Sequence, residues 1–160
     1  MIGSCELNGR SGHDAGRALL ARLYREQTGK ELPQILITQR GKPYFADLSL
    51  CFSISHTKNH AFCVLSDQNI GIDAEELTRE IDPRLANKIL SPGEFMQYEA
   101  AADKNRALLT FWVLKEAAAK LSGEGLRGYP NHTNFSLNDP RVTETDGCLL
   151  AVLTEAPKEN

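Results

Sequence analysis

Three acids and two lysines carry the chemistry this sequence can offer. In "IGIDAEEL", residues 70–77, Asp73 and Glu75 stand two apart among the apolar Ile70, Ile72 and Ala74. Such alternation reads as a strand, and a period of two sends both carboxylates to one face. Like charges placed side by side repel, so the arrangement asks for a positive partner. In "FWVLKEAAAK", residues 111–120, a helical period groups Lys115, Glu116, Ala119 and Lys120 around Trp112. Val113, Leu114, Ala117, Ala118 and Leu121 fall opposite and form the expected buried stripe. The plain reading of the polar arc is a solvated face with a Glu116–Lys120 pair; a tryptophan in its middle argues against it. If helix and strand face each other, three carboxylates share a site. Their hard oxygens suit Mg²⁺, which keeps waters and completes its shell with phosphate oxygens. Lysines beside such acids are wasteful around a bare ion and useful around one that holds a phosphate or diphosphate. The pattern points to metal-assisted phosphoryl-type transfer.

Other residues add less. "FSISHT" puts Ser55 and His56 at the end of a strand, where a structural histidine is the ordinary reading. A Ser55–His56–Asp73 hydrolase triad has poor geometry, because neighbours on a strand point to opposite faces. His56 and His60 have helical spacing in a segment that is not helical, which argues against zinc. Lys42 lies in a turn at "GKP". The four cysteines, Cys5, Cys51, Cys63 and Cys148, form no CxxC pair and read as reduced thiols, mostly buried. A formal charge of −3 gives no general case for nucleic-acid binding. No apolar run spans a membrane, and "MIGSCELNGRSG" lacks the apolar core of an export signal, so a cytoplasmic location is expected.

The elements that must position these residues belong to an ordinary globular chain of 160 residues, 41% hydrophobic and 24% charged, enough for one domain or two packed halves. "HDAGRALLARLYREQTG" reads as a helix, followed by strands in "QILITQRGKPYF", "LCFSISHT" and "HAFCVLSDQNIGIDAEEL". "DPRLANKIL" reads as a short helix. Ser91, Pro92 and Glu94 open another, and "NRALLTFWVLKEAAAKLSG" is the strongest helix, stopped by Gly123. In the tail, "NHTNFSL" and "GCLLAVLTE" read as strands and "APKEN" as frayed. The class is α+β with antiparallel strands.

Taken in order, "GKPYF", "FSISHT", "IGIDAEE" and "FWVLKEAAAKLSGEGL" resemble the 4′-phosphopantetheinyl transferase superfamily, Sfp type, over roughly residues 14–155. The resemblance implies a pseudo-twofold fold of two halves, residues 1–66 and 67–160, each a helix on an antiparallel sheet with coenzyme A between them. It implies transfer of the phosphopantetheine arm of coenzyme A to a serine of an apo acyl, peptidyl or aryl carrier protein, leaving 3′,5′-ADP. Asp73, Glu75 and Glu116 would be the ligands of Mg²⁺ (or Mn²⁺), and Glu116, directly or through a water, the base for the carrier serine. Lys120 would bind the diphosphate and Lys115 help hold the phosphates. His56 would contact the 3′-phosphate, with Ser55 beside it and Lys42 nearby. Trp112 would brace the helix, and Glu94 matches a family acid near the centre.

The resemblance also implies more chain before the first helix than residues 1–13 provide, hence a trimmed first half, a more open 3′-phosphate pocket and weaker coenzyme A affinity. A monomer is expected, with a homodimer over an exposed sheet edge as the alternative. Arg84, Lys88, Lys104 and Arg106 could meet an acidic carrier helix. Two rival functions remain: a non-catalytic module that binds coenzyme A or a carrier, and a Mg²⁺-dependent phosphohydrolase.

Overall fold

A computed structural model describes residues 1–125 and 133–155. Two three-stranded antiparallel sheets, each carrying a long helix, make up most of it. The first sheet has the order β1 (Ile2–Glu6), β5 (His60–Ser66), β4 (Cys51–His56). The second has the order β6 (Ile70–Glu76), β8 (Cys148–Thr154), β7 (Val142–Thr145). A two-stranded ribbon of β2 (Ile35–Ile37) and β3 (Pro43–Phe45) stands beside the first. The α+β class is as expected.

Helix α1 (Gly12–Thr28) starts where the Ser11 hydroxyl accepts from the Asp14 amide at 3.0 Å, and ends at Gly29 in the left-handed region. Its apolar stripe, Leu19, Leu20, Leu23 and Tyr24, packs with Phe45, Phe52, Cys63 and Leu65 in one core. Helix α4 (Lys104–Ser122) is capped by Asp103 and stopped by Gly123. Its apolar residues Leu108, Leu109, Phe111, Val113, Leu114 and Ala117 form a second core with Leu149, Ala151 and Leu153 of β8. The pattern on β5 divides its residues: Cys63 and Leu65 face α1, while Phe62 and Val64 join Ile70, Ile72, Ala74, Cys148 and Leu150 in a third core between the sheets. That third core makes the two sheets one packed body.

Side chains complete the junction. The Ser53 hydroxyl accepts the Ile72 amide at 3.1 Å, and the Ser55 hydroxyl accepts the Ala74 amide at 3.1 Å. Two serines two apart on β4 thus satisfy two amides two apart on β6, standing in for the missing ladder between two edge strands. Three residues, 67–69, connect β5 to β6.

Differences from expectation have local causes. Strand β1, with the sequence IGSCE, carries no apolar alternation by which it could be read. "DPRLANKIL" divides into a turn of 3-10 helix (Pro83–Leu85) and α2 (Ala86–Ile89). The strand expected over "NHTNFSL" is absent from its described part, residues 133–137, although Thr133, Phe135 and Leu137 do turn inward alternately. Their partners are side chains of α3 (Pro92–Ala100): Glu94 Oε1 accepts the Phe135 amide at 2.9 Å and Gln97 Oε1 the Leu137 amide at 3.0 Å. "APKEN" lies outside the described residues. All four cysteines are free; Cys63 and Cys148 are buried and Cys5 and Cys51 half-buried. Burial pushes the Cys63 thiol up to about 12, which makes it inert at neutral pH. Among the described residues no helix is long and apolar enough to cross a membrane.

Candidate active site

The side chains of β6 alternate between the inter-sheet core and α4. Ile70, Ile72 and Ala74 point into the core, leaving Gly71, Asp73 and Glu75 for the helix. Gly71 makes the approach close: a methyl there would lie 2.6 Å from the Leu121 amide nitrogen and closer still to the Ala117 carbonyl, both backbone atoms that cannot swing aside. From that contact the two rows run antiparallel. Asp73 meets Lys120, and Glu75 meets Trp112.

Asp73 is 6% exposed. Its Oδ1 accepts from Lys120 Nζ at 2.8 Å and from the Ser55 hydroxyl at 3.1 Å. Its Oδ2 is buried and has no hydrogen-bond partner among the described residues. Burial raises the Asp73 pKa, against the charge and hydrogen bond of Lys120. Glu75, half-buried, accepts from Trp112 Nε1 at 3.1 Å and pairs with Arg79. Burial raises its pKa and the charge of Asp73 adds to the rise, while Arg79 opposes it. Burial also raises Glu116, helped by Asp73 and Glu75, with Lys120 and Arg79 opposing. Glu116 feels both other acids and Glu75 feels Asp73, so the three form one electrostatic cluster.

The cluster is open as its side chains stand. Among the described residues no three acidic, histidine or cysteine groups are gathered to chelate a metal. Asp73 is turned to Lys120 and Glu75 to Trp112 and Arg79. The donors nevertheless fit a hard divalent cation in kind: they are carboxylate oxygens under mutual repulsion, and one is a buried oxygen with no donor among the described residues.

Beside the cluster lies a groove of about 280 Å³ between the two halves. Residues 40–43 of the ribbon turn line it, with residues 52–54 of β4, Glu116, Ala119 and Lys120 of α4, and Gly123 just past the end of that helix. Its cations are Arg40, Lys42 and Lys120. Arg40 pairs with Glu124. Lys42 donates to Asn69 and, at 2.7 Å, to the Leu121 carbonyl at the end of α4. Burial lowers its pKa. Lys120 also reaches the Ile54 carbonyl at 3.5 Å, across to the first half.

Other expected site residues fall differently. Ser55 is buried and serves Asp73 and the Ala74 amide, not the groove surface. His56 is exposed at the end of β4, its ring against Gly12 in the first turn of α1, and does not line the groove. Lys115 corrects the helical-wheel reading. Its side chain is 2% exposed, and its ammonium lies 2.8 Å from Glu94 Oε2 and 3.0 Å from the Thr133 hydroxyl, not on the groove. Helix α4 has α3 and residues 133–137 on a second side, so its buried face is wider than one apolar stripe and takes in Lys115 and Ala119. Of the four cations expected to meet a carrier, Arg84 pairs with Asp82, Lys104 with Glu99 and Arg106 with Glu144, while Lys88 is exposed. Arg40, Asn69 and Arg79 went unnoticed in the sequence. Asn69 reads as a turn residue and Arg79 as a surface charge, and no periodicity marks either.

Residues 69–153 match the family model described as the 4′-phosphopantetheinyl transferase superfamily. The chain is 33% identical over 122 residues to the 4′-phosphopantetheinyl transferase HetI of Nostoc sp., covering 70% of this chain and 52% of that protein. It is 34% identical over 114 residues to the 4′-phosphopantetheinyl transferase AcpT of Escherichia coli, covering 68% and 56%. A third relative, the 4′-phosphopantetheinyl transferase gsp of Aneurinibacillus migulanus, is 32% identical over 88 residues, covering 54% and 36%. The chain thus spans about half the length, or less, of these relatives. The matched region holds β6, α4 and β8, the elements that build the acid cluster and the core beneath it, and the chain belongs to the 4′-phosphopantetheinyl transferase superfamily.

Proposed function

We propose that this chain transfers the 4′-phosphopantetheine arm of coenzyme A to a serine of an apo acyl, peptidyl or aryl carrier protein, releasing 3′,5′-ADP. The observation that carries the reading is the facing of two rows, Asp73 and Glu75 on β6 and Glu116 and Lys120 on α4, beside a groove with Arg40 and Lys42 on its far wall. The matched family and the names of the relatives support the same class of chemistry.

The reaction forms a bond from the serine oxygen to the β-phosphorus and breaks the bond from that phosphorus to the 3′,5′-ADP oxygen. Glu116, on the groove wall, takes the hydroxyl proton, directly or through a water. Lys120 leaves Asp73 for the diphosphate and stabilises charge growing on the leaving oxygens. Asp73, Glu75 and Glu116 would hold Mg²⁺, or Mn²⁺, which when bound supplies neutralisation of the diphosphate charge. Ser55 keeps Asp73 oriented, and Trp112 does the same for Glu75. His56, exposed at the end of β4, would contact the 3′-phosphate. The repeated sheet and helix support a pseudo-twofold unit divided at residues 66 and 67; in this reading it acts as a monomer in the cytoplasm, where coenzyme A is available.

The test is to incubate the protein with coenzyme A, Mg²⁺ and a panel of apo carriers and weigh each carrier. A mass gain of one phosphopantetheine is the expected result, lost on chelation and in Asp73→Asn. Phosphate release without gain would make the protein a phosphohydrolase, and binding of coenzyme A with neither would make it a binding module; each overturns the proposal.

A further inference from the structure

The most deeply buried charges in the described structure lie outside the groove. Glu94 is 0% exposed and Lys115 is 3% exposed. Taking such a pair out of water is costly, and two apolar residues of the same volume often hold a core as well or better. Stability alone therefore does not account for it. What an ion pair adds is direction, because it is satisfied in one arrangement of its partners and in few others.

Glu94 has that arrangement. Its Oε2 accepts from the Ser91 amide at 2.8 Å, closing the capping box of α3, and from Lys115 at 2.8 Å. Its Oε1 accepts the Phe135 amide. Lys115 in turn reaches Thr133, with the Phe135 ring 5.8 Å from its ammonium. Ser91 bonds Asn134 at 2.9 Å, and Gln97 donates to the Phe135 carbonyl at 3.1 Å and accepts from the Leu137 amide. Ser91, Glu94 and Gln97 recur every three residues on one face of α3 and act as a rail for residues 133–137. Lys115, the cation that α4 sends to Glu94 on this rail, sits one residue before Glu116. Successive residues on a helix are turned by about 100°, so anchoring Lys115 toward α3 leaves Glu116 toward β6.

Resting on the proposed transferase reading, we propose that Lys115 and Glu94 are positioning residues. Their buried pair sets the rotation of α4 and thereby where Glu116 and Lys120 stand against Asp73 and Glu75. Neither touches substrate. The pair acts through its neighbours on the helix and through the anchored return of the chain at residues 133–137.

The experiment uses Lys115→Met combined with Glu94→Gln, a neutral pair of similar size, with the milder Glu94→Gln alone as the second variant should the first not fold. Thermal unfolding, Mn²⁺ affinity by electron paramagnetic resonance without coenzyme A, and kcat and KM for transfer are measured. Support for a positioning groups is a folded variant whose kcat and Mn²⁺ affinity each fall about tenfold or more while KM for coenzyme A stays within about twofold. A lowered Tm with kcat and Mn²⁺ affinity within about twofold would reduce the pair to a structural one and overturn the proposal. A raised KM for coenzyme A with kcat unchanged would make Lys115 a phosphate ligand and overturn it too. If the unaltered protein transfers nothing, the function fails by itself, and the Mn²⁺ affinities still decide the role of the pair.

Discussion

Asp73 divides its two oxygens between opposite fates, one with two donors and the other buried with none among the described residues. The cost of that state has a sign. Glu75 and Glu116 have folded-state pKa values raised above the ordinary 4.5 by burial and by their neighbours' charge. A raised acid binds its proton more tightly folded than unfolded, so its favourable contribution is present at low pH and is lost as pH rises through the folded value. Glu116→Gln removes one of the repelling charges. The variant should unfold at a higher temperature than the unaltered protein in chelator at neutral pH, with the gap closing as pH falls toward the ordinary glutamate range. Transfer by the same variant should drop about 10²–10⁴-fold. Calorimetry across pH and the carrier-mass assay check the two halves; a gap that widens in acid would contradict the cluster. The acids were legible in the sequence because alternation and helical spacing fix which face a residue takes. Lys115 was not, because a wheel does not say how many neighbours press on a helix.

At the level of elements, the contact of β6 with α4 depends on a residue that contributes no chemistry. Gly71 lets strand backbone meet helix backbone. Gly71→Ala must push the two apart, so it should cost about 1–3 kcal/mol of stability. It should also reduce transfer strongly with every acid and lysine still present. Urea unfolding and the mass assay check this; full activity with unchanged stability would mean that the closeness is not required. Strand β6 and helix α4 were readable from "IGIDAEE" and "FWVLKEAAAK" because each follows its own period. Residues 133–137 follow a strand's period as well, yet bond to Glu94 and Gln97 on α3. Alternation records which residues face inward and is silent on what supplies the hydrogen bonds.

Across the whole molecule, the two sheets share a core and are stitched by Ser53 and Ser55. Ser55→Ala leaves the Ala74 amide without its side-chain acceptor and Asp73 with Lys120 as its remaining donor among the described residues. Chemical denaturation should register a loss of about 1–3 kcal/mol. A change within a few tenths would assign the junction to the apolar core alone. Lys42 and Asn69 make a second tie, from the ribbon and the three-residue connection to the end of α4. No spacing in the sequence announces such a meeting of Lys42, Asn69 and Leu121, since it exists only once the halves have packed. The facing of acids and lysine could be read from local pattern, whereas the groove beside them is a product of the assembly.

The matched rows of β6 and α4 act as two rulers of unequal pitch. Two residues of strand advance about 6.6–6.8 Å and four residues of helix about 6.0 Å. The graduations coincide near Gly71 and slip by under about 1 Å at each further mark, so coincidence lasts for only a few marks. A vernier of this kind caps the size of the acid cluster: inserting even one residue between Gly71 and Glu75 would throw every later mark out of step, however well the longer strand folded.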